Sequence, residues 1–311
     1  MVKRNPFIHR QVSMSAPHLK TGDGSRGKRE SACVGIHLSG PNAKKSALVV
    51  LVNSQEGSQF LSLYEKIGSV GSLFSDERII DILKLVPSLD AVFVDCPISE
   101  PPCVNCERPV CPGVVRCEDV AVGMMMAIEQ KRGRKGGHKL RPLNPQNLRL
   151  WDAMYGRGGE FGKMEPTYSA NLAPLVVRAK TLQRRLRMDL PQIDLRETHV
   201  PFLLKQLEVT FDRPGWSTNY RNFEAGFETR CEVLSEIAAK RTAKVMPKLN
   251  INLTEDAIDS VAASVESFHA FMAAAMAHWF QIGLARDRTP YFQENLGWVD
   301  LLNAEAAQIN P

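Results

Sequence analysis

The apolar residues of this chain gather in short blocks separated by polar, Gly-rich and Pro-rich stretches, and the spacing inside each block predicts its element. Ala32-Cys33-Val34-Gly35-Ile36-His37-Leu38 reads as a strand, the turn residues Ser39-Gly40-Pro41-Asn42 follow, and Ser46 to Val52 reads as a second strand. Together they predict a hairpin that opens a sheet. From about Ser75 to Val86, the residues Ile79, Ile80, Leu83 and Leu85 recur at helical spacing. Ala91-Val92-Phe93-Val94 is then continuously apolar, as a parallel strand buried on both faces is. That strand ends in Asp95-Cys96-Pro97, and open α/β sheets place their ligands at the carboxyl ends of such strands.

A Pro-, Gly- and Cys-rich stretch runs from Ser99 to about Gly162, interrupted by a predicted helix from about Glu118 to Lys131 that holds Met124, Met125 and Met126. It is too long for an idle connection. A helix from about Asn171 to Met188 leads to a strand from Ile193 to Thr198. A closing helix is predicted from a Thr254 cap to about Ala285, with Ile258, Val261, Val265, Phe268, Met272, Ala275 and Trp279 on one face. The whole pattern is that of an α/β fold.

Composition sharpens this in a few places. Hydrophobic residues are 44% and charged residues 23%, the balance of a globular chain, and no apolar run approaches the roughly 18 residues that span a bilayer. No membrane partner is expected. Met1 to Glu30 carries seven Lys or Arg against two acids and lacks a secretory apolar core, so we read it as a disordered basic tail, with a transit-like peptide or a polyanion contact as alternatives. Residues 31–311 are read as one domain with an insertion at about 99–162. Without a secretory signal a cytoplasmic setting is expected, in which the seven cysteines are thiols or metal ligands. The net charge of +5 is mild, but Lys131 to Arg149 holds seven Lys or Arg and no acid, with Gly133, Gly136, Gly137 and His138 among them. Such a stretch can follow a phosphate backbone, making nucleic acid a possible partner, or can be a solvated loop. Arg184, Arg185 and Arg187 suit the end of their helix, and the late aromatics Trp279, Phe280, Tyr291, Phe292 and Trp298 suit a core or a partner surface.

Acids stand at the ends of three predicted elements: Asp95, Glu197, and Asp256 with Asp259. Each has an ordinary alternative: a turn residue, an ion pair with Arg196 or Arg178, and a favourable first-turn charge. Their order along the chain carries more. Val34-Gly35-Ile36-x-Leu38-Ser39-Gly40, Asp95-x-Pro97-x-Ser99, Glu197-x-His199 and Glu255-Asp256-x-x-Asp259 together resemble the DUF429 family, predicted nucleases of the ribonuclease H-like superfamily. The resemblance spans about Cys33 to Met276 and is thin from Pro101 to Gly162. It implies a ribonuclease H-like fold, a sheet opening with an antiparallel meander, flanking helices, and acids meeting at one edge. It also implies Asp95, Glu197 and Asp259 as ligands of Mg²⁺ or Mn²⁺, with Asp256 in support, since these ions prefer carboxylate and water oxygens. Two such ions about 3.5–4 Å apart would activate water and stabilise the leaving oxygen of a phosphodiester. The chain departs from the family at His37, where an aspartate is usual, which points to a changed metal or to lost catalysis. It departs again at Glu197-Thr198-His199-Val200-Pro201, where one residue is inserted before the proline; His199 either orients substrate or caps a strand end.

Cys103-x2-Cys106-x4-Cys111-x5-Cys117 gathers four thiols in a loop turned by Pro101, Pro102, Pro109, Pro112 and Gly113. A structural Zn²⁺ is the favoured reading, with an Fe–S cluster or free thiols as alternatives. Cys96 is near enough in sequence to replace one ligand, Arg116-Cys117-Glu118 resembles an Arg-x-Cys-Asp segment of the broader family, and Cys33 and Cys231 suit buried positions. The leading functional expectation is a metal-dependent phosphodiester hydrolase acting on nucleic acid. A noncatalytic nucleic-acid or protein-binding module of the same fold is the second. An actin-like or sugar-kinase-type phosphotransferase is the third, weakened because Gly136-Gly137 and Gly158-Gly159 lack the strand-linked context of a phosphate hairpin.

Overall fold

The computed structural model describes residues 31–284 apart from 41–44, 55–56, 68–71, 135–142, 156–166, 240–241, 243 and 245. The basic tail, Gly136-Gly137 with the middle of the basic run, Gly158-Gly159, and Tyr291, Phe292 and Trp298 therefore lie outside the described residues.

Six strands form one mixed sheet: β1 (Ser31–His37), β2 (Ala47–Ser54), β3 (Gly57–Tyr64), β4 (Leu89–Val94), β5 (Leu195–Glu197) and β6 (Ile251–Asn252), in spatial order β5-β4-β1-β2-β3-β6. β1, β2 and β3 make the antiparallel meander; β4 runs parallel to β1, β5 to β4, and β6 to β3. The third strand escapes the hydrophobic pattern for a physical reason. Its register against β2 shifts between Val50 and Leu51, which face Ser62 and Phe60 respectively. The extra residue, Leu61, breaks the period of two, so Phe60 and Leu63 face one core while Leu61 and Tyr64 face the other.

The described helices are α1 (Ser72–Leu85), α2 (Val120–Arg134), α3 (Leu150–Tyr155), α4 (Ala173–Asp189), α5 (Val200–Phe211), α6 (Trp216–Asn219), α7 (Gly226–Ala238), α8 (Glu255–Ala262) and α9 (Val265–Gln281). Strand alternation sorts the cores. Ala32, Val34, Ile36, Val92 and Val94 pack on Ile79, Ile80 and Leu83 of α1 and Ala179, Leu182 and Leu186 of α4. Cys33, Ala91 and Phe93 point to the opposite face, covered by α5, α7 and α9. The insertion builds a third, small core, in which Ala121 and Met125 of α2 and Leu150, Trp151 and Ala153 of α3 meet Phe202 of α5. Among the described residues no helix is long and apolar enough to cross a membrane.

The predicted closing helix is two helices. Thr254 caps α8 as expected, its side chain accepting from Ala257 N at 3.2 Å. Ser264 then adopts an extended backbone and caps α9, accepting from Ser267 N at 3.0 Å. Every residue from Ser267 to Trp279 is buried, as in a helix covered on all sides. α9 lies so close to β1 that a Cβ on Gly35 would stand 2.1 Å from Ala270 O and from Ala274 N. The glycine of Val-Gly-Ile is thus the seat of the helix, and the neighbouring His269 is carried down to the end of β1.

Candidate metal centre at the carboxyl ends of β1 and β4

His37 closes β1, and Asp95 follows β4 with its amide donating to Ile36 O at 3.1 Å. Both share the parity of Cys33, Gly35, Ala91 and Phe93, so both project toward α9. There they meet His269. One ligand atom from each of His37, Asp95 and His269 lies within 4.8 Å of the others, the one such group of three or more His, Cys, Asp or Glu among the described residues. His269 Nδ1 is hydrogen-bonded to Asp95 Oδ2, and Asp95 Oδ1 accepts from Val200 N at 2.9 Å. His269 Nε2 lies 3.2 Å from Tyr220 Oη and 3.3 Å from Arg221 Nη2. His37 Nδ1 is buried, has no hydrogen-bond partner, and sits 3.7 Å from Asp95 Oδ2. The side chains of His269, Asp95 and His37 are 1%, 8% and 18% exposed, so solvent approaches from the His37 side.

Burial alone would raise the Asp95 carboxyl, but the charge and hydrogen bond of His269, aided by His37, overcome it and hold the carboxyl far below the usual range. At His269 burial outweighs Asp95 and lowers the imidazole below its ordinary value. His199, half-buried at the N-cap of α5, is pushed down to about 4 chiefly by burial. It is near enough to feel Asp95 electrostatically, its Nδ1 has no partner, and its ring rests on Phe202 with centroids 4.3 Å apart.

The other expected ligands do not join this group. Glu197 pairs in the sheet with Val94, shares its parity, and therefore points to the face opposite Asp95. It accepts from Ile98 N at 3.1 Å and pairs with Arg149 Nη1 at 2.6 Å, rather than with Arg196 or Arg178. Arg149 also pairs with Asp152 at 2.8 Å, and its Nη1 donates to Ser99 Oγ at 3.1 Å. Arg149 thus leaves the solvated basic run to which its sequence position assigned it, being fully buried. Two carboxylates share that one guanidinium, and burial pushes Glu197 up to about 7 in spite of it. Asp256 and Asp259 are exposed on α8, because the chain turns at Ser264 and only α9 reaches β1.

A cleft of about 990 Å³ opens beside Glu197, and Asp95 is not among the residues that line it. Its lining mixes Arg108, Lys180, Arg187 and Arg196 with Glu100, Glu107, Asp119 and Asp194, which is not the uniform positive field of a polyanion track. Cys103 and Cys117 are half-buried, Cys106 and Cys111 exposed. Cys96 is turned into the α1–α4 core, away from a ligand role in the loop; burial raises its thiol, and raises Cys33 to about 12. Comparison with protein-family models, with curated proteins and with solved structures found no match to this chain.

Proposed function

We propose that the chain is a metal-dependent phosphodiester hydrolase of ribonuclease H-like fold, with nucleic acid as its substrate. The observation that carries this reading is the convergence of His37, Asp95 and His269 at the carboxyl ends of adjacent parallel strands. The initial meander, the flanking helices and a site at one sheet edge are the features the DUF429 resemblance implies, which supports the fold assignment. The donor set fits a cation: His37 Nδ1 is buried without a partner, and two imidazoles with one carboxylate suit Mn²⁺ better than Mg²⁺. His37, Asp95 and His269 would hold it, and the bound ion would supply Lewis acidity toward water and a phosphate oxygen. Around it the chain fixes the ligands. Val200 N orients one oxygen of Asp95, and Tyr220 and Arg221 flank the outer edge of His269.

One observation favours a noncatalytic binding module instead: both Asp95 oxygens are already hydrogen-bonded, tying β4 to α5 and α9. Cleavage assays separate the two. Metal-free protein is offered single- and double-stranded DNA, RNA and an RNA–DNA hybrid with Mn²⁺ or Mg²⁺. Mn²⁺ should restore cleavage better than Mg²⁺, and Asp95→Asn and His269→Ala should lose at least the about 10–100-fold that even outer partners of a metal cost. No cleavage of any substrate, or full activity in both variants, overturns the hydrolase and leaves the binding module.

A further inference from the structure

From Pro102 to Val120 the chain contains no buried residue, yet it follows a defined path. Val104 N and Asn105 N both donate to Pro101 O, at 3.0 and 3.3 Å, turning the chain at once. Cys103 N donates to Pro145 O at 3.1 Å, Gly113 takes a positive φ of 83°, and a single 3₁₀ turn, Val114–Arg116, follows. Val104, Val110 and Val115 are exposed at 44%, 76% and 86%, so the apolar residues do not hold the segment together. Arg108 and Glu118 form a surface pair at 3.3 Å, of the kind that contributes about 0–1 kcal/mol. Small units without a core of their own are commonly held by a cross-link.

The four cysteines are spaced through this segment. Cys103 stands within the first turn, Cys106 three residues after it, Cys111 two residues before Gly113, and Cys117 directly after the 3₁₀ turn. Cys103 and Cys117 are half-buried at the two ends of the segment, and Cys106 and Cys111 are exposed between them. No three of them lie within 4.8 Å of one another, so closing on one ion takes side-chain rotation. For the exposed Cys106 and Cys111 that rotation meets little resistance.

We propose that Cys103, Cys106, Cys111 and Cys117 bind one structural zinc ion that clasps this segment and thereby builds one wall of the cleft beside Glu197. Pro102, Asn105, Cys106, Glu107, Arg108 and Pro109 line that cleft from the segment's side. Opposite them stand Lys180, Gln183 and Arg187 of α4. Binding takes four thiols to thiolates, with the protons released to solvent, and Zn²⁺ satisfies all four in a closed tetrahedral set. The clasp is independent of the hydrolase reading, since none of its ligands belongs to the group around Asp95.

Full-length protein, purified with a thiol reductant, is measured by elemental analysis and by limited proteolysis with mass mapping. About one zinc per chain is expected, retained in Asp95→Asn and His269→Ala and lost in the double variant Cys106→Ser/Cys111→Ser. Both substituted side chains are exposed, so the double variant keeps the sheet core and the thermal midpoint of the parent. It should be cut at least tenfold faster, with the new cuts between residues 102 and 120. Replacing zinc by Co²⁺ should give the intense visible absorption of a tetrahedral tetrathiolate, absent in the double variant. Absence of bound metal, stoichiometric iron, a mass showing disulfides, or zinc that persists in the double variant overturns the proposal.

Discussion

Replacing Gly35 by alanine tests the packing that makes the site. A Cβ there stands 2.1 Å from Ala270 O and Ala274 N and 2.7 Å from Ala273 C. All three are backbone atoms of α9, so no change of rotamer relieves the overlap. Ordinary contact begins at 3.4 Å, so α9 must retreat by roughly 1.3 Å, at the upper end of the about 1–3 kcal/mol that overpacking costs. At about 3 kcal/mol the thermal midpoint of a domain this size falls by roughly 6–12 °C. The same retreat carries His269 away from His37 and Asp95, so Mn²⁺ affinity measured by calorimetry on the folded protein should weaken as well. Gly123→Ala is the control: it lies in α2 with no atom within 4 Å of the new Cβ, and should stabilise by about 0.5–1 kcal/mol. An unchanged midpoint and unchanged Mn²⁺ binding in Gly35→Ala would refute the argument that this contact seats the helix.

Other perturbations separate the buried ion network from the metal group. Arg149→Met leaves Glu197 and Asp152 buried without their cation, and urea unfolding should show a loss of about 3–5 kcal/mol. Glu197→Gln should keep Mn²⁺ affinity, because its side chain lies on the far face of the sheet; loss of binding on titration would place it among the ligands after all. Glu197 is raised from 4.5 to about 7 in the folded state, so the native protein holds a proton that the unfolded chain releases. Its contribution therefore declines as pH climbs from 4.5 to 7, and Glu197→Gln should flatten that part of the stability profile. His278 behaves oppositely: burial lowers it from 6.5 to about 4, so stability drops as pH falls through that window. The effect amounts to about 3 kcal/mol at full extent, and His278→Leu should remove it from urea midpoints measured against pH.

The sheet was legible where side-chain parity was clean. β1, β2 and β4 carry the apolar runs that both cores use, and their predicted spans agree with the structure to within about two residues. β3 was not legible, because the bulge at Leu61 interrupts its alternation. α5 and α7 hold up one side of the sheet and left no mark in the reading of the sequence. Val200-Pro201 begins α5 with Pro in the first turn, a start signal obscured by the comparison of Glu197-Thr198-His199-Val200-Pro201 with a motif. The break between α8 and α9 could have been read from Ser264, which offers a second cap within an otherwise continuous apolar pattern.

That break decides which residues meet. Treated as one helix, the sequence from Thr254 offered Asp256 and Asp259 as the acids nearest its start, and carboxylates were what the resemblance called for. Treated as two, the residue that reaches β1 is His269, flanked by Phe268 and Ala270 and hidden in a run buried on every side. Its signal was the pairing of Gly35 with Ala270, Ala273 and Ala274: a glycine in a central strand and small residues in a helix mark a close approach. Glu197 was equally open to a parity argument, since alternation from Leu195 turns it to the α1–α4 side while alternation from Phe93 turns Asp95 to the other. Once α9 and the parity of Glu197 are placed, His37 stands beside Asp95 and His269. It is one of two imidazoles flanking a single carboxylate, and that donor set, rather than motif order, is what the proposal of Mn²⁺ rests on.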